Sequence, residues 1–242
     1  MIATYINALL VIIGTLIGLV VKRRLTDSYR TVVFTSSGLV TLVIGISMAL
    51  ATDSYLILLF SLAIGGGIGY ALAIEERILN LGSWMEKRLA GSKSSDESAR
   101  NFALGFFNAS ILFCSGAMAV VGSIQAGTSG EYQLILIKAV MDGAMAIIFT
   151  AAYGIGVMGS ALVILVYQGF FTLAGGTFAP ILGEAGINEL AAVGGLLLMM
   201  IGFNLLDIRK TKTGNFLPAM LIAPLLAIAA PYISRFFLSM GF

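Results

Sequence analysis

Lys138 and Asp142 stand four residues apart in the stretch 133–153, most of which is apolar. Four residues is about one helical turn, so the two side chains share a face. A charge held in hydrocarbon costs at least ~2.5–3.5 kcal/mol on insertion scales, so it persists only where it is paired or wetted. Two chemistries fit the pair. In one, Lys138 and Asp142 neutralise each other as a structural pair. In the other, Asp142 binds a coupling cation or a proton, and Lys138 is released or contacts an anion. Lys138 lies nearer the outer end of its segment and has a stem long enough to reach the interface. Ionisable residues that face the inside of a helix bundle tend to mark pathways, which favours the second chemistry.

A second concentration of polar and small residues lies in the preceding apolar segment, with Asn108, Ser110, Cys114, Ser115, Gly116 and Gly122. Ser115-Gly116 is a place where a helix can open at mid-membrane and turn its half-helix ends toward a solute. The alternative is that these small residues only allow close helix packing, as at Gly14 and Gly18. Gly65-Gly66-Gly67 with Gly69 poses the same choice, and Pro218 and Pro224 interrupt a later segment. Further polar candidates are Tyr167, Gln168, Asn204 and Asn215. The residues expected to bind a coupling ion or a solute are therefore Asp142, Lys138, Asn108, Ser115, Gly116, Gln168, Asn204 and Asn215. Asp207, beside Arg209 and Lys210, reads as an interfacial ion pair. Glu189 is expected to begin its helix, where a carboxylate suits the N-terminal dipole.

These residues sit in a chain built for lipid. Of 242 residues, 59% are hydrophobic and 11% charged, with a mean hydropathy of +1.01. Soluble domains carry about 25% charged residues. The net charge of +2 is small, and the basic residues are scattered through short loops, so nucleic-acid binding is not expected. With no histidine, the commonest metal ligand and the usual neutral-pH proton shuttle are missing. No Walker-type phosphate loop is present. The single cysteine, Cys114, cannot form an intrachain disulfide. With no second mid-membrane carboxylate to make a dyad, the chain is not expected to be an enzyme. It is expected to need no cofactor beyond a bound monovalent cation or proton.

A membrane helix needs about 20 apolar residues. Eight such spans are predicted, near 2–21, 31–51, 55–74, 102–125, 133–153, 155–178, 189–207 and 215–234. Their apolar runs are continuous, which excludes the alternation of a β-barrel. Twelve of the 14 basic residues fall in the first, third and seventh loops. Those loops then face the cytoplasm and both termini face outside. Met1 to Val21 carries no basic side chain, and Lys22, Arg23 and Arg24 follow it, so it reads as a first span and not as a cleaved signal peptide. The only long loop contains Ile74, Ile78, Leu81, Met85 and Leu89 at helical spacing around Trp84. It is predicted as an interfacial amphipathic helix over about 74–91.

Shifting the chain by 157 positions places Thr15-Leu16-Ile17-Gly18 on Thr172-Leu173-Ala174-Gly175. The same shift places Gly38-Leu39 and Ile44-Gly45 on Gly195-Leu196 and Ile201-Gly202. Spans one to three then correspond to six to eight. Five spans is an odd separation, so the copies run in opposite senses, as in many secondary transporters. The predicted organisation is a single membrane domain over 1–242. One repeat covers about 1–80, two central helices about 101–153, and the second repeat about 158–237.

Several runs resemble the bacterial membrane family called domain of unknown function 554. They are Phe113-Cys114-Ser115-Gly116-Ala117-Met118 with Gly122, Lys138 followed by Asp142-Gly143, Tyr167-Gln168-Gly169, Ala192-Val193-Gly194-Gly195 and Asn215-Phe216-Leu217-Pro218-Ala219. Together they cover essentially the whole chain. The pattern departs at Ser115 and Ala117, where relatives often carry valine and proline. The resemblance implies a helical fold in the bacterial inner membrane, and it implies no substrate or catalytic residue. The functional expectation is a secondary transporter of a small ion or polar solute, coupled to a cation or proton. The alternatives are a structural or regulatory membrane protein without transport, or a small ion channel. Eight spans are few for a monomeric transporter, so a homodimer is expected, with the glycine-rich first and third spans as contact faces.

Overall fold

The computed structural model describes residues 1–24, 27–80, 84, 96–114 and 117–239. Among these, every regular element is helical. They are α1 (Ile2–Arg24), α2 (Asp27–Ala49), α3 (Tyr55–Ala71), the short α4 (Ile74–Asn80), α5 (Asp96–Cys114), α6 (Ala117–Thr128), α7 (Gln133–Tyr153), α8 (Gly156–Leu205) and α9 (Leu217–Ser239). A 3-10 turn over Thr213–Phe216 leads into α9.

Six segments are long and apolar enough to cross a bilayer. They rise to eight if two bent pairs, α3 with α4 at 55° and α5 with α6 at 61°, each count as one span. Large apolar side chains such as Leu59, Val140, Val166, Leu173 and Leu221 lie exposed around the bundle. That belt suits a hydrocarbon solvent.

Span boundaries differ from the sequence expectation in one informative place. The seventh span was expected from 189, but it starts at Pro180 and runs to Leu205. Three residues into that span the helix path kinks at Gly183, at φ 61° and ψ 176°, a conformation essentially reserved for glycine. Glu189 therefore does not begin its helix. It lies inside α8, fully buried, and caps another helix. Its carboxylate accepts hydrogen bonds from the Thr52 hydroxyl at 2.7 Å and from the backbone N–H groups of Asp53 at 2.9 Å and Ser54 at 3.1 Å. These residues lead into α3, whose first N–H groups lack intrahelical partners and whose dipole favours an anion. Replacing Glu189 by Ala leaves these donors unmet. We expect it to lower stability by about 2–3 kcal/mol, with Glu189→Gln losing less, as read by unfolding in detergent.

The bundle closes through glycine-lined crossings. A methyl on Gly14 would lie 2.2 Å from the Gly143 carbonyl oxygen, and one on Gly18 2.6 Å from that of Ile147. Thus α1 and α7 run parallel in close contact. The expected dimer-facing glycines of the first span are used inside the chain. So are Gly65, Gly66 and Gly69 of α3, which press on Ala219, Phe216 and Asn215. The α2–α8 crossing has a further property. Gly45 meets Gly195 and Met199, while Gly202 meets Gly38 and Leu42. A 157-residue shift, applied in both directions, converts the first set of contacts into the second.

Between these crossings lies a core of Val11, Phe113, Phe149, Ile164, Leu197 and Ile201 with their neighbours. It fills the space between α1, α5, α7 and α8 and holds α7's polar face against them. The predicted interfacial helix at 74–91 begins at Ile74, as α4. Residues 81–83 and 85–90 lie outside the described residues, and Trp84 is exposed.

Candidate functional site

The site is built on α7. Lys138 and Asp142, one turn apart on its inner face, are both buried and joined as an ion pair. The pair does not stand alone. The Asn7 side chain on α1 donates from Nδ2 to the same carboxylate oxygen, Oδ2, at 3.0 Å. Asn7 is brought there by the close α1–α7 approach at Gly14 and Gly143. Sequence reading did not single it out, although it is the lone amide in an otherwise apolar first span. The Lys138 ammonium lies 6.0 Å from the centre of the Phe113 ring, at the outer limit of a cation–π contact.

Phe113 and Cys114 end α5, just where the fourth span turns by 61°. Cys114 is buried and lies within electrostatic reach of both Lys138 and Asp142. The turn therefore stands beside the ion pair. Ser115 and Gly116, the expected opening point, lie outside the described residues.

The first arm of α8 closes the site. Tyr167 comes within electrostatic reach of Cys114 and stacks edge-on against Phe171. Gln168 follows it and is fully buried. One turn further on, Thr172 gives its hydroxyl proton to the Gln168 carbonyl at 2.7 Å and meets the Thr4 hydroxyl of α1 at 3.5 Å. The first arm of α8 follows α7 after the turn at Gly154, so it runs antiparallel to α7 and to α1. Moving from Thr4 to Asn7 on α1 thus corresponds to moving back from Thr172 to Gln168 on α8. The order of these contacts sets Gln168 and Tyr167 at about the level of Asn7, Lys138, Asp142 and Cys114.

That layer is rich in unmet hydrogen-bonding capacity. Among the described residues, Asn7 Oδ1, both side-chain amide atoms of Gln168 and the Tyr167 hydroxyl are buried without a partner. Each such atom costs roughly 1–3 kcal/mol, so four in one layer are not explained by packing. Thr15, Thr41, Ser61 and Thr150 carry unpartnered hydroxyls elsewhere in the bundle.

The other expected residues fall into different places. Asn108, buried on α5, faces Tyr153 at the far end of α7. Asp142 and Tyr153 are eleven residues apart, so they share α7's inner face, with the fully buried Phe149 between them. Asn204 and Asn215 do not join the layer. Asn204 closes the loop after α8, donating to the Thr211 carbonyl at 2.9 Å and accepting from its N–H at 2.7 Å. Asn215 accepts from the Glu75 N–H at 2.9 Å, while Glu75 accepts from the Gly214 N–H at 2.8 Å. Lys212 pairs with Glu76 in the same region. Asp207 pairs with Lys210 at 3.2 Å in an exposed position, as expected of an interfacial pair.

A multi-pass helical membrane protein with a buried ion pair beside a bent span is the class these elements define. The chain belongs to the family described as protein of unknown function (DUF554), whose model matches residues 2–228. It is 31% identical over 228 residues to the uncharacterized membrane protein YdfK of Bacillus subtilis (strain 168), covering 93% of this chain and 94% of that protein. It is 25% identical over 228 residues to the uncharacterized protein YqgA of Escherichia coli (strain K12), covering 94% and 97%. No solved structure matches the chain.

Proposed function

We propose that this protein is a secondary transporter of a small polar solute, and not an enzyme. It would reside in a bacterial inner membrane with both termini outside. Asp142 is the carboxylate for which a cation or a proton competes with Lys138. The observation that carries the reading is the buried Lys138–Asp142 pair, shared with Asn7 and set beside the 61° turn in the fourth span. In a pair of this kind Asp142 keeps its charge compensated when another positive charge takes the Lys138 place, and Lys138 then needs a negative partner of its own. Broken spans at such a depth are where secondary transporters place their solutes.

The α2–α8 crossing supports alternating access. Its contacts interchange under the 157-residue shift, as two inverted repeats crossing on a common axis require. Inverted repeats provide two exchangeable states, open to opposite sides.

The test is stability in detergent against sodium, lithium, potassium and pH, for wild type and Asp142→Asn. A ligand that binds only the folded state raises its stability by mass action. Wild type is expected to shift with one cation or with pH, and Asp142→Asn to lose that shift. Flat, identical responses from two folded proteins would contradict the coupling role and favour a structural membrane protein, with the polar residues as interhelical ties.

A further inference from the structure

Resting on the transport reading, we infer that the solute is a small carboxylate-bearing molecule, held by Lys138, Gln168 and Tyr167 while a positive charge takes the Lys138 place at Asp142. The argument begins with the unmet groups in the layer. Gln168 is fully buried, and among the described residues neither its amide nitrogen nor its amide oxygen has a partner. The neighbouring Tyr167 hydroxyl and the Asn7 amide oxygen are likewise unpartnered. They divide by polarity. The donors are the two N–H groups of Gln168, the Tyr167 O–H and, once Asp142 is otherwise engaged, the Lys138 ammonium. The acceptors are Asp142, Asn7 Oδ1 and Gln168 Oε1. A carboxylate is acceptor-only, with about four lone-pair sites. It matches the donor half, and charge-assisted hydrogen bonds to it are the strong ones.

Electroneutrality sets the other half. Lys138 and Asp142 together carry no net charge. A lone anion taken up by Lys138 would leave the Asp142 carboxylate buried without a counter-charge, which is strongly unfavourable. The carboxylate must therefore arrive with a positive charge for Asp142 and Asn7 Oδ1. It has two sources: the ammonium of the same molecule, as in a small amino acid, or a separate cation or proton accompanying a simple monocarboxylate. Both place the same carboxylate on Lys138 and Gln168. Size follows from the walls. Phe113, by the Lys138 ammonium, is fully buried and Phe171, against Tyr167, nearly so, so the solute is a few heavy atoms across.

The experiment is thermal stability of the full chain in detergent. The probes are glycine, alanine, serine and β-alanine; acetate, propionate and lactate; and methylammonium as a cation without a carboxylate. Each is run with and without sodium and at two pH values. At least one carboxylate-bearing probe is expected to raise the melting temperature. If amino acids act alone, the positive charge comes from the solute; if monocarboxylates act only with sodium or at low pH, it comes from a coupling ion. Methylammonium is expected to have no effect.

Gln168→Leu removes an unpartnered amide from an apolar setting, so it is expected to fold at least as well as wild type. It should keep the sodium or pH response of Asp142. Its apparent affinity for the carboxylate should fall roughly tenfold, the equivalent of one lost charge-assisted hydrogen bond. A sodium or pH shift with no response to any carboxylate would overturn this inference and leave the transport reading standing. An undiminished carboxylate response in Gln168→Leu would also overturn it. Absence of any response to ions, pH and solutes alike would remove both.

Discussion

Lys138→Met is expected to lower the stability of the folded protein by about 3–5 kcal/mol, the cost of leaving a buried charge without its partner. Among the described residues Asp142 keeps a single neutral hydrogen-bond donor, Asn7, which does not replace an ammonium. Taking both members away should behave differently. Lys138→Met with Asp142→Leu removes the desolvation of two charges along with their attraction, and such replacements are often neutral or stabilising. The double variant should therefore recover most of the stability lost in the single one, while losing every response to cation, pH or solute. Unfolding in detergent, carried out on both single variants and the double one, gives the coupling between the two sites directly. Recovered stability without a ligand response would mean that the pair is kept for function and not for the fold.

Gly69→Ala should be severely destabilising, while Gly67→Ala, two residues earlier in the same glycine run, should not. A methyl on Gly69 would lie 1.7 Å from the Asn215 carbonyl oxygen, and no atom meets one on Gly67 within 4 Å. The Gly69 collision is with backbone, so no rotamer change relieves it. Separating α3 from the turn before α9 also disturbs Asn215, whose side chain accepts the Glu75 N–H at the start of α4. Overpacking of this kind costs ~1–3 kcal/mol and occasionally more, and Gly69 belongs at the upper end. Gly67→Ala should gain up to about 1 kcal/mol from helix propensity. Melting temperatures of the two variants moving in opposite directions would fit this geometry; equal losses would contradict it.

Much of the frame was legible because lipid writes long apolar runs that have no other reading. The Lys138–Asp142 pairing was legible for the same reason a helix face is: the spacing is local. What sequence could not show is what lies across the bundle. Asn7 meets Asp142 from 135 positions away, and a lone amide in an apolar run has no periodic signal. The expectation for Glu189 fails because the kink at Gly183 carries no polar loop of its own, while Glu184 and Glu189 five residues apart read as a loop that ends where the apolar run begins. Asn204 and Asn215 drew notice as polar residues near apolar spans. Their amides are spent on closing the connection between α8 and α9, a role set by loop geometry that no residue pattern encodes. Gln168 was visible as a polar residue in a span, but its lack of partners became evident only with the neighbours in place.

Cys114, the only cysteine in the chain, lies beside the ion pair and offers the most direct measurement. In sealed vesicles of known orientation, it is treated with a membrane-impermeant thiol reagent from one side and then from the other. A site that opens alternately should become labelled from both sides, slowly, because the cysteine is buried in this state. Saturating concentrations of the ligand found in the stability screen should change the labelling rate from at least one side, and Asp142→Asn should lose that dependence. A cysteine that no impermeant reagent reaches from either side, with or without ligand, would contradict the transport account.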